Sequence, residues 1–232
     1  MSERCGKVSV GAIIVLVVMA LVTAGLAYIH YVRLPQQYRD HERNHLKVFG
    51  SAVELRFQGQ VGLTERVVNL SLAVAKDLRL PDSAIDRIER ASHLRDIGLC
   101  AIPWKLVNES NPLMWSDSQR AAYDKHSEIG GAMLELVPTL RDLATIVRTH
   151  HAPFDGTKGP SFPAGTSIPF EARIIHVVDE YVTRERLQGA TLARTYLVHH
   201  SGRKFDSGVV ESLLRVLPQH EFSEEHELAN IN

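Results

Sequence analysis

The sequence predicts an all-α protein in which one transmembrane helix precedes a helical bundle. Three observations lead to this prediction: an uncharged apolar run near the N-terminus, helical spacing of apolar residues through the remainder, and no sustained alternation of the kind that strands show. A length of 232 residues suits one domain with attachments, and a hydrophobic content of 44% is enough for a buried core. We divide the chain into a short N-terminal tail (1–7), a transmembrane anchor (8–30), a juxtamembrane helix or linker (31–60), a helical domain (61–218) and an acidic tail (219–232).

The apolar run extends from Val8 to Ile29 without a charged residue. At a rise of about 1.5 Å per residue it would reach roughly 33 Å, which covers a hydrocarbon core of about 30 Å. A cleaved signal peptide is the alternative, but its apolar part is only about 7–15 residues long and ends in small residues. Because the excess of basic residues is larger on the C-terminal side, we predict a single-pass membrane protein with its C-terminal domain in the cytoplasm.

Turn residues and apolar spacing divide the remainder into helices. Pro35 is expected to end the membrane helix, and the polar segment 36–57 to form the juxtamembrane helix. Ser116 and Gln119 have the spacing of a capping box for a helix that runs toward Leu136. Further helices are predicted at 140–150, 169–182, 191–200 and 208–217.

Charge and cysteine content narrow the function. With 26 Lys+Arg against 27 Asp+Glu, the chain lacks the basic excess that neutralises a phosphate backbone, so nucleic acid is not an expected partner. Two cysteines, Cys5 and Cys100, cannot make a disulfide framework, which favours a reducing compartment. Because 12 histidines accompany only 2 cysteines, nitrogen and oxygen ligands would hold any bound metal.

Histidine and aspartate occupy four helical places where packing would favour apolar side chains: Asp96, His126, the pair His150–His151, and Asp179. A buried carboxylate costs several kcal/mol unless it is paired or bound to metal. Groups spread over four helices converge only inside a bundle, which is a common location for metal sites. A loop rich in glycine and proline, 152–167, follows the histidine pair directly, and long loops of this kind are more often functional than idle.

The motifs, in chain order, are Arg95-Asp96-Ile97-Gly98, His126 with Gly130, His150-His151 with Asp155-Gly156 and Pro160, Ile168-Pro169-Phe170-Glu171-Ala172-Arg173-Ile174-Ile175, and Asp179. This order resembles the HD-GYP domain, a branch of the HD metal-dependent phosphohydrolases. The resemblance extends from about Gly62 through Phe205-Asp206 and the following helix. It implies an HD-type helical bundle that hydrolyses cyclic di-GMP to linear pGpG or GMP at a two- or three-metal centre, often of iron or manganese.

The resemblance also shows where this chain departs from the family pattern. The first histidine of the family corresponds to Leu63, a glutamate one turn earlier to Gly59, and the lysine after the HD pair to Leu99. Arg95 stands where the HD pair has its histidine, and the Gly-Tyr-Pro element is Lys158-Gly159-Pro160.

Carried over by position, one family metal would need Leu63, Arg95, Asp96 and Asp179, which cannot hold an ion well. The second metal would use Asp96, His126, His150 and His151, which are intact, so the resemblance implies about one divalent ion per chain, of iron, manganese or zinc. Asp96 would then be the catalytic carboxylate as well as a ligand. We hypothesise that Arg95 replaces the missing ion and pairs with Asp179, which is otherwise a metal ligand, and with Asp96.

Four further residues have two interpretations each. Lys158, Arg173 and Arg186 would meet a substrate phosphate, or have solvated or structural roles. Asp155 would take part in the chemistry, or simply make a turn at Asp-Gly.

Two functions follow from these predictions. The first is a phosphodiesterase acting on cyclic di-GMP or a related phosphoester through a partly lost metal centre. The second is a catalytically inactive module that binds a nucleotide or a signalling protein in the same cleft. In both, the N-terminal helix binds the membrane. Regulation would come through a homodimer formed by the anchor and juxtamembrane helix, or through other proteins.

Overall fold

The computed structural model describes residues 9–56, 61–108, 111 and 114–218, and in these residues it contains helices and no strand. The predicted all-α class is therefore confirmed. The predicted tails, 1–7 and 219–232, lie outside the described residues. The α-helices are α1 (Val10–Tyr28), α2 (Leu34–Leu55), α3 (Leu63–Asp77), α4 (Asp82–Leu94), α5 (Trp104–Asn108), α6 (Asp117–Glu135), α7 (Ala144–Thr149), α8 (Phe170–Gln188), α9 (Ala190–His199) and α10 (Ser207–Val216).

The chain separates into two compact units that divide after His45. In the first unit, α1 has no buried residue, and its N-terminus is capped by Ser9, whose hydroxyl accepts a hydrogen bond from the Ala12 amide. The helical run that begins at Val10 contains a window with a mean hydropathy of 2.7, none of it buried. By length and composition this helix can cross a membrane.

The expectation that Pro35 ends the first helix is wrong. The chain passes from α1 through a π-helical turn, Ile29–Arg33, directly into α2, and Pro35 is the second residue of α2. Proline has no amide hydrogen, and in a regular α-helix its ring clashes with the carbonyl four residues earlier. The wider π turn lies over that earlier residue, so the helix continues where regular geometry would break.

The second unit has two main apolar cores, with α8 between them. One core joins α8 to α3, α9 and α10 and includes the fully buried Val74, Tyr181 and Leu213. The other joins α8 to α4, α6 and α7, with Ile175 and Leu143 fully buried. Because α8 is buried on two faces, its polar residues His176 and Asp179 lie largely in the interior of the unit.

The predicted bounds of the helices that border the site agree with the structure at the start of α6 but differ for α7 and for the end of α8. The predicted capping box at Ser116 and Gln119 is present and begins α6. The predicted helix 140–150 is instead a 3₁₀ turn, Arg141–Leu143, followed by the short α7. Helix α8 extends past its predicted end at residue 182. Its last turns are polar, so apolar spacing does not reveal them, and they contain an ion pair between side chains four residues apart, Glu180 and Arg184.

Two glycines allow the site elements to approach. A Cβ at Gly98 would lie 2.0 Å from the carbonyl oxygen of His126 and 2.7 Å from the amide nitrogen of Gly130. A Cβ at Gly130 would lie 3.1 Å from a methyl group of Val147. The turn after Asp96 therefore packs against the backbone of α6, which itself packs closely on α7.

Candidate metal centre

Three imidazole rings meet in the interior of the second unit. His126 comes from α6, His150 caps the C-terminus of α7, and His151 follows it. Their ligand atoms all lie within 4.8 Å of one another, and Nε2 of His126 is 3.3 Å from Nε2 of His150. His126 and His150 are completely buried.

Backbone carbonyls orient two of these rings. Nδ1 of His126 donates to the carbonyl of Tyr123 at 2.7 Å, and Nδ1 of His150 donates to the carbonyl of Val147 at 2.6 Å. A nitrogen that faces a carbonyl must carry the proton, so each Nε2 keeps a lone pair directed at the other imidazoles. This arrangement, with the second ring nitrogen fixed by a hydrogen bond, is the usual environment of a metal-ligating histidine.

The protonation states also suit metal binding. Burial lowers the pKa of His150 to about 3, and the nearby His126 adds to this effect. Burial and the neighbouring His150 hold the pKa of His151 well below its ordinary value. Nε2 of His151 is buried and has no hydrogen-bond partner among the described residues. Neutral imidazoles with unused lone pairs are the form that binds metal, so these residues fit a divalent ion.

Asp96 supplies an oxygen beside the three rings. It precedes the 3₁₀ turn Ile97–Ala101, and its Oδ1 lies 3.5 Å from Nε2 of His126. Three nitrogens and one carboxylate oxygen form a donor set that zinc, iron or manganese accepts.

Arg95 lies between two carboxylates. Its Nη2 is 2.9 Å from Oδ2 of Asp96, and its Nε donates to Oδ1 of Asp179 at 2.7 Å. The side chain is 4% exposed, and Nη1 donates to the carbonyl of Ser92. Burial alone would lower the pKa of Arg95, but Asp96 and Asp179 raise it above its ordinary value. The guanidinium is therefore a permanent cation between these two acids.

Of the four residues with two interpretations, one lies at the cleft and three lie elsewhere. Arg186 lines the cleft that contains Asp96, Asp179 and His151, as does Leu63. The other three lie elsewhere in the described structure: Arg173 pairs with Asp206 at 2.5 Å, Lys158 lies over the ring of Phe162, and the exposed Asp155 accepts a hydrogen bond from the amide of Thr157.

Two residues near the site come from the end of α2 and the position after it, in the segment predicted as a juxtamembrane helix or linker. Glu54 is buried, lines the cleft and accepts hydrogen bonds from the amides of Gly62 and Thr64, so it caps the N-terminus of α3. Arg56 donates to the carbonyls of Leu99 and Ile102 at 3.2 Å, next to the turn that follows Asp96. These contacts span up to 46 residues of sequence, and no local spacing reveals them.

A histidine outside the ligand set makes stability depend on pH. His176 on α8 is 4% exposed, and burial lowers its pKa from 6.5 to about 3, with the charge of Lys204 adding to the effect. Between these values the unfolded chain binds more protons than the folded one. The stability that neutral His176 contributes is thus complete above about pH 6.5 and is lost as the pH falls toward 3.

We expect the chelator-treated protein to lose stability across this window, and His176→Asn to reduce the slope by up to ~1.4 kcal/mol per pH unit. Chemical denaturation at a series of pH values measures the slope. His199→Asn, at an exposed position on α9, is the matched control and should keep the wild-type slope. Equal slopes in the wild type and His176→Asn would contradict the prediction.

Comparison with known proteins places this geometry in a family. The sequence model of the HD domain matches residues 47–209. The chain is 30% identical over 187 residues to the cyclic di-GMP phosphodiesterase response regulator RpfG of Xanthomonas campestris pv. campestris, covering 77% of this chain and 49% of that protein. It is 28% identical over 195 residues to the 3'3'-cGAMP-specific phosphodiesterase 2 of Vibrio cholerae, covering 79% of this chain and 36% of that protein.

A solved structure has the same fold. An HDG"Y"P protein from Bdellovibrio bacteriovorus superposes with a TM-score of 0.57 at 19% sequence identity, over 66% of this chain and 51% of that one. The chain spans about half or less of the length of the two curated relatives.

Proposed function

This chain belongs to the HD domain family and to its HD-GYP branch, and from that premise we propose that it is a metal-dependent phosphodiesterase acting on a cyclic dinucleotide such as cyclic di-GMP. The observation that carries the proposal is the cluster of three imidazoles with Asp96 beside them. Relatives named as phosphodiesterases of cyclic di-GMP and of 3'3'-cGAMP support the substrate class.

In this proposal His126, His150, His151 and Asp96 hold about one divalent ion, of iron, manganese or zinc. Such an ion, when bound, lowers the pKa of a water molecule enough to supply hydroxide near neutral pH. Asp96 orients the attacking group, since its carboxylate lies between the imidazoles and Arg95. Arg186, at the cleft, binds a substrate phosphate.

Arg95 stands in place of a second ion. Asp179, which would otherwise be a ligand, holds Nε of Arg95 and thereby fixes a positive charge next to Asp96. A guanidinium can stabilise negative charge on a phosphoryl oxygen, although it cannot supply hydroxide. In two-metal sites, both ions stabilise the charge of the attacking and leaving oxygens. In the proposed site, one ion and the Arg95 guanidinium would share this role.

The same arginine favours a second candidate, a catalytically inactive module that binds a nucleotide or a protein partner. Because Arg95 engages both carboxylates, the ligands for a second ion are already used. For either candidate we propose that α1 is a single-pass membrane anchor with the domain in the cytoplasm, and that homodimers form through α1 and α2.

Turnover of cyclic di-GMP separates the two candidates. We expect the full-length protein, purified in detergent and supplied with Mn²⁺ or Fe²⁺, to convert cyclic di-GMP to pGpG. His150→Ala should reduce this rate by more than about 100-fold, because loss of a ligand exceeds the 10–100-fold effect of outer-shell changes. Chromatographic separation of the products measures the rate.

His199→Ala, at an exposed position of α9, is the matched control and should keep the wild-type rate. Saturable binding of cyclic di-GMP without turnover, unchanged in His150→Ala, would refute the enzyme and support the binding module.

A further inference from the structure

The cleft beside the metal centre has an aromatic wall that the metal chemistry does not use. Trp115, just before α6, lines the cleft together with Asp96 and His151. Its ring centroid is 4.8 Å from that of Tyr123, which is 4.7 Å from that of His126. The rings therefore form a continuous series from a buried imidazole to a half-exposed indole.

The indole lies next to the capped start of α6 and carries a cation on its face. Ser116, the next residue, is the N-cap of α6, and its hydroxyl accepts from the amide of Gln119. The guanidinium carbon of Arg120, one turn into α6, lies 5.2 Å from the centroid of the Trp115 ring. An aromatic face beside a guanidinium is a surface on which a nucleobase stacks, while guanidinium groups attract its phosphates.

We propose that Trp115 and Arg120 form a binding site for one nucleobase of the cyclic dinucleotide. The inference rests on the proposed function and extends it by naming the residues that hold the base. A base is separated from its phosphate by one sugar ring, and Trp115 is separated from His126 by one side-chain ring, that of Tyr123. A nucleotide whose phosphodiester lies at the metal centre can therefore reach the indole with its base, next to the guanidinium of Arg120.

This geometry also determines how the base is recognised. Trp115 meets the base through its ring face, and every base has a π-face. The site therefore tolerates guanine and adenine alike, and discrimination between cyclic dinucleotides belongs to other contacts. Cyclic di-GMP and cyclic di-AMP should lose affinity by similar factors when the indole is removed.

Indole fluorescence tests the inference directly, because the chain has only two tryptophans, Trp104 and Trp115. Trp104 is 43% exposed and does not line the cleft, so Trp104→Phe is a matched control that leaves Trp115 as the single reporter. The full-length protein in detergent, with Mn²⁺, is mixed with cyclic di-GMP in a stopped-flow instrument, and quenching is recorded before turnover.

We expect quenching to persist in Trp104→Phe and to disappear in Trp115→Phe. Trp115→Ala should raise the Kd by about 5- to 150-fold, and Trp115→Phe by less, since a phenyl ring keeps part of the stacking surface. Inhibition by inorganic phosphate, which has no base, should be equal in all variants. Unchanged metal content shows that each variant has folded.

Two results would overturn the inference, and they are distinguishable. A wild-type Kd in Trp115→Ala, with cyclic di-GMP still bound and hydrolysed, refutes the base site and leaves the phosphodiesterase in place. No quenching, binding or turnover in the metal-loaded wild type refutes the proposed function and the base site with it.

Discussion

Replacing Arg95 with alanine is expected to lower the free energy of unfolding by about 3–5 kcal/mol, as is typical when one partner of a buried ion pair is removed. Arg95 is 4% exposed, and the carboxylates it joins, Asp96 and Asp179, are 20% and 14% exposed. Without the guanidinium, the two carboxylates in one cleft lose their common partner. Chemical denaturation of the full-length protein in detergent measures the change.

Two further variants make this result specific. Arg66→Ala removes an arginine whose pair with Glu185 is equally short, 2.6 Å, but whose side chain is 44% exposed, so it should cost at most about 1 kcal/mol. Adding Asp179→Asn to Arg95→Ala should recover part of the loss, because it removes one of the stranded charges. Unchanged stability in Arg95→Ala would show that Asp96 and Asp179 do not need the guanidinium as a partner, and the proposal that Arg95 replaces an ion would fail.

The residue pattern predicted that the inner residues of the site would converge, and the family resemblance supplied their roles as ligands. Asp96, His126 and the pair His150–His151 stand where helical packing would favour apolar side chains, and only a bundle interior can bring them together. In the structure His126 lies inside α6, whereas Asp96 and the histidine pair lie at or just after the ends of helices. The structure brings the three imidazoles and Asp96 into contact range. The capping box of α6 is equally local, since both of its members lie within one helical turn.

The outer part of the site depends on contacts that spacing does not encode. Arg173, a predicted phosphate ligand, pairs with Asp206, 33 residues later, because the start of α10 packs beside the start of α8. The predicted loop residue Asp155 is exposed, and its amide donates to the carbonyl of Arg203, which holds this part of the loop away from the imidazoles. Glu54 reaches the cleft only through α2, whose end packs on α3. Each of these placements is decided by tertiary packing, which overrides local sequence signals.

Loss of a histidine ligand is expected to change the number of metal ions bound per chain. We expect about one divalent ion per chain in the wild type, since Asp96, His126, His150 and His151 form one four-donor set. His126→Ala should reduce the content to near zero, because it removes a ligand whose Nδ1 is already fixed by the carbonyl of Tyr123. Elemental mass spectrometry of the purified protein measures the ratio.

Asp179→Asn is the companion variant that tests the role of Arg95. In the structure the Asp179 carboxylate accepts from Arg95, and it is not one of the four proposed metal ligands. Asparagine keeps an oxygen that accepts from Nε of Arg95, so the metal content should remain at the wild-type value. Two ions per chain in the wild type, with one lost in Asp179→Asn, would show that Asp179 is a ligand and that Arg95 does not replace an ion. No ion in the wild type would make the imidazole cluster structural and would shift the function to the binding module, since the arginines that line the cleft, Arg95 and Arg186 among them, would then meet a phosphate without an ion.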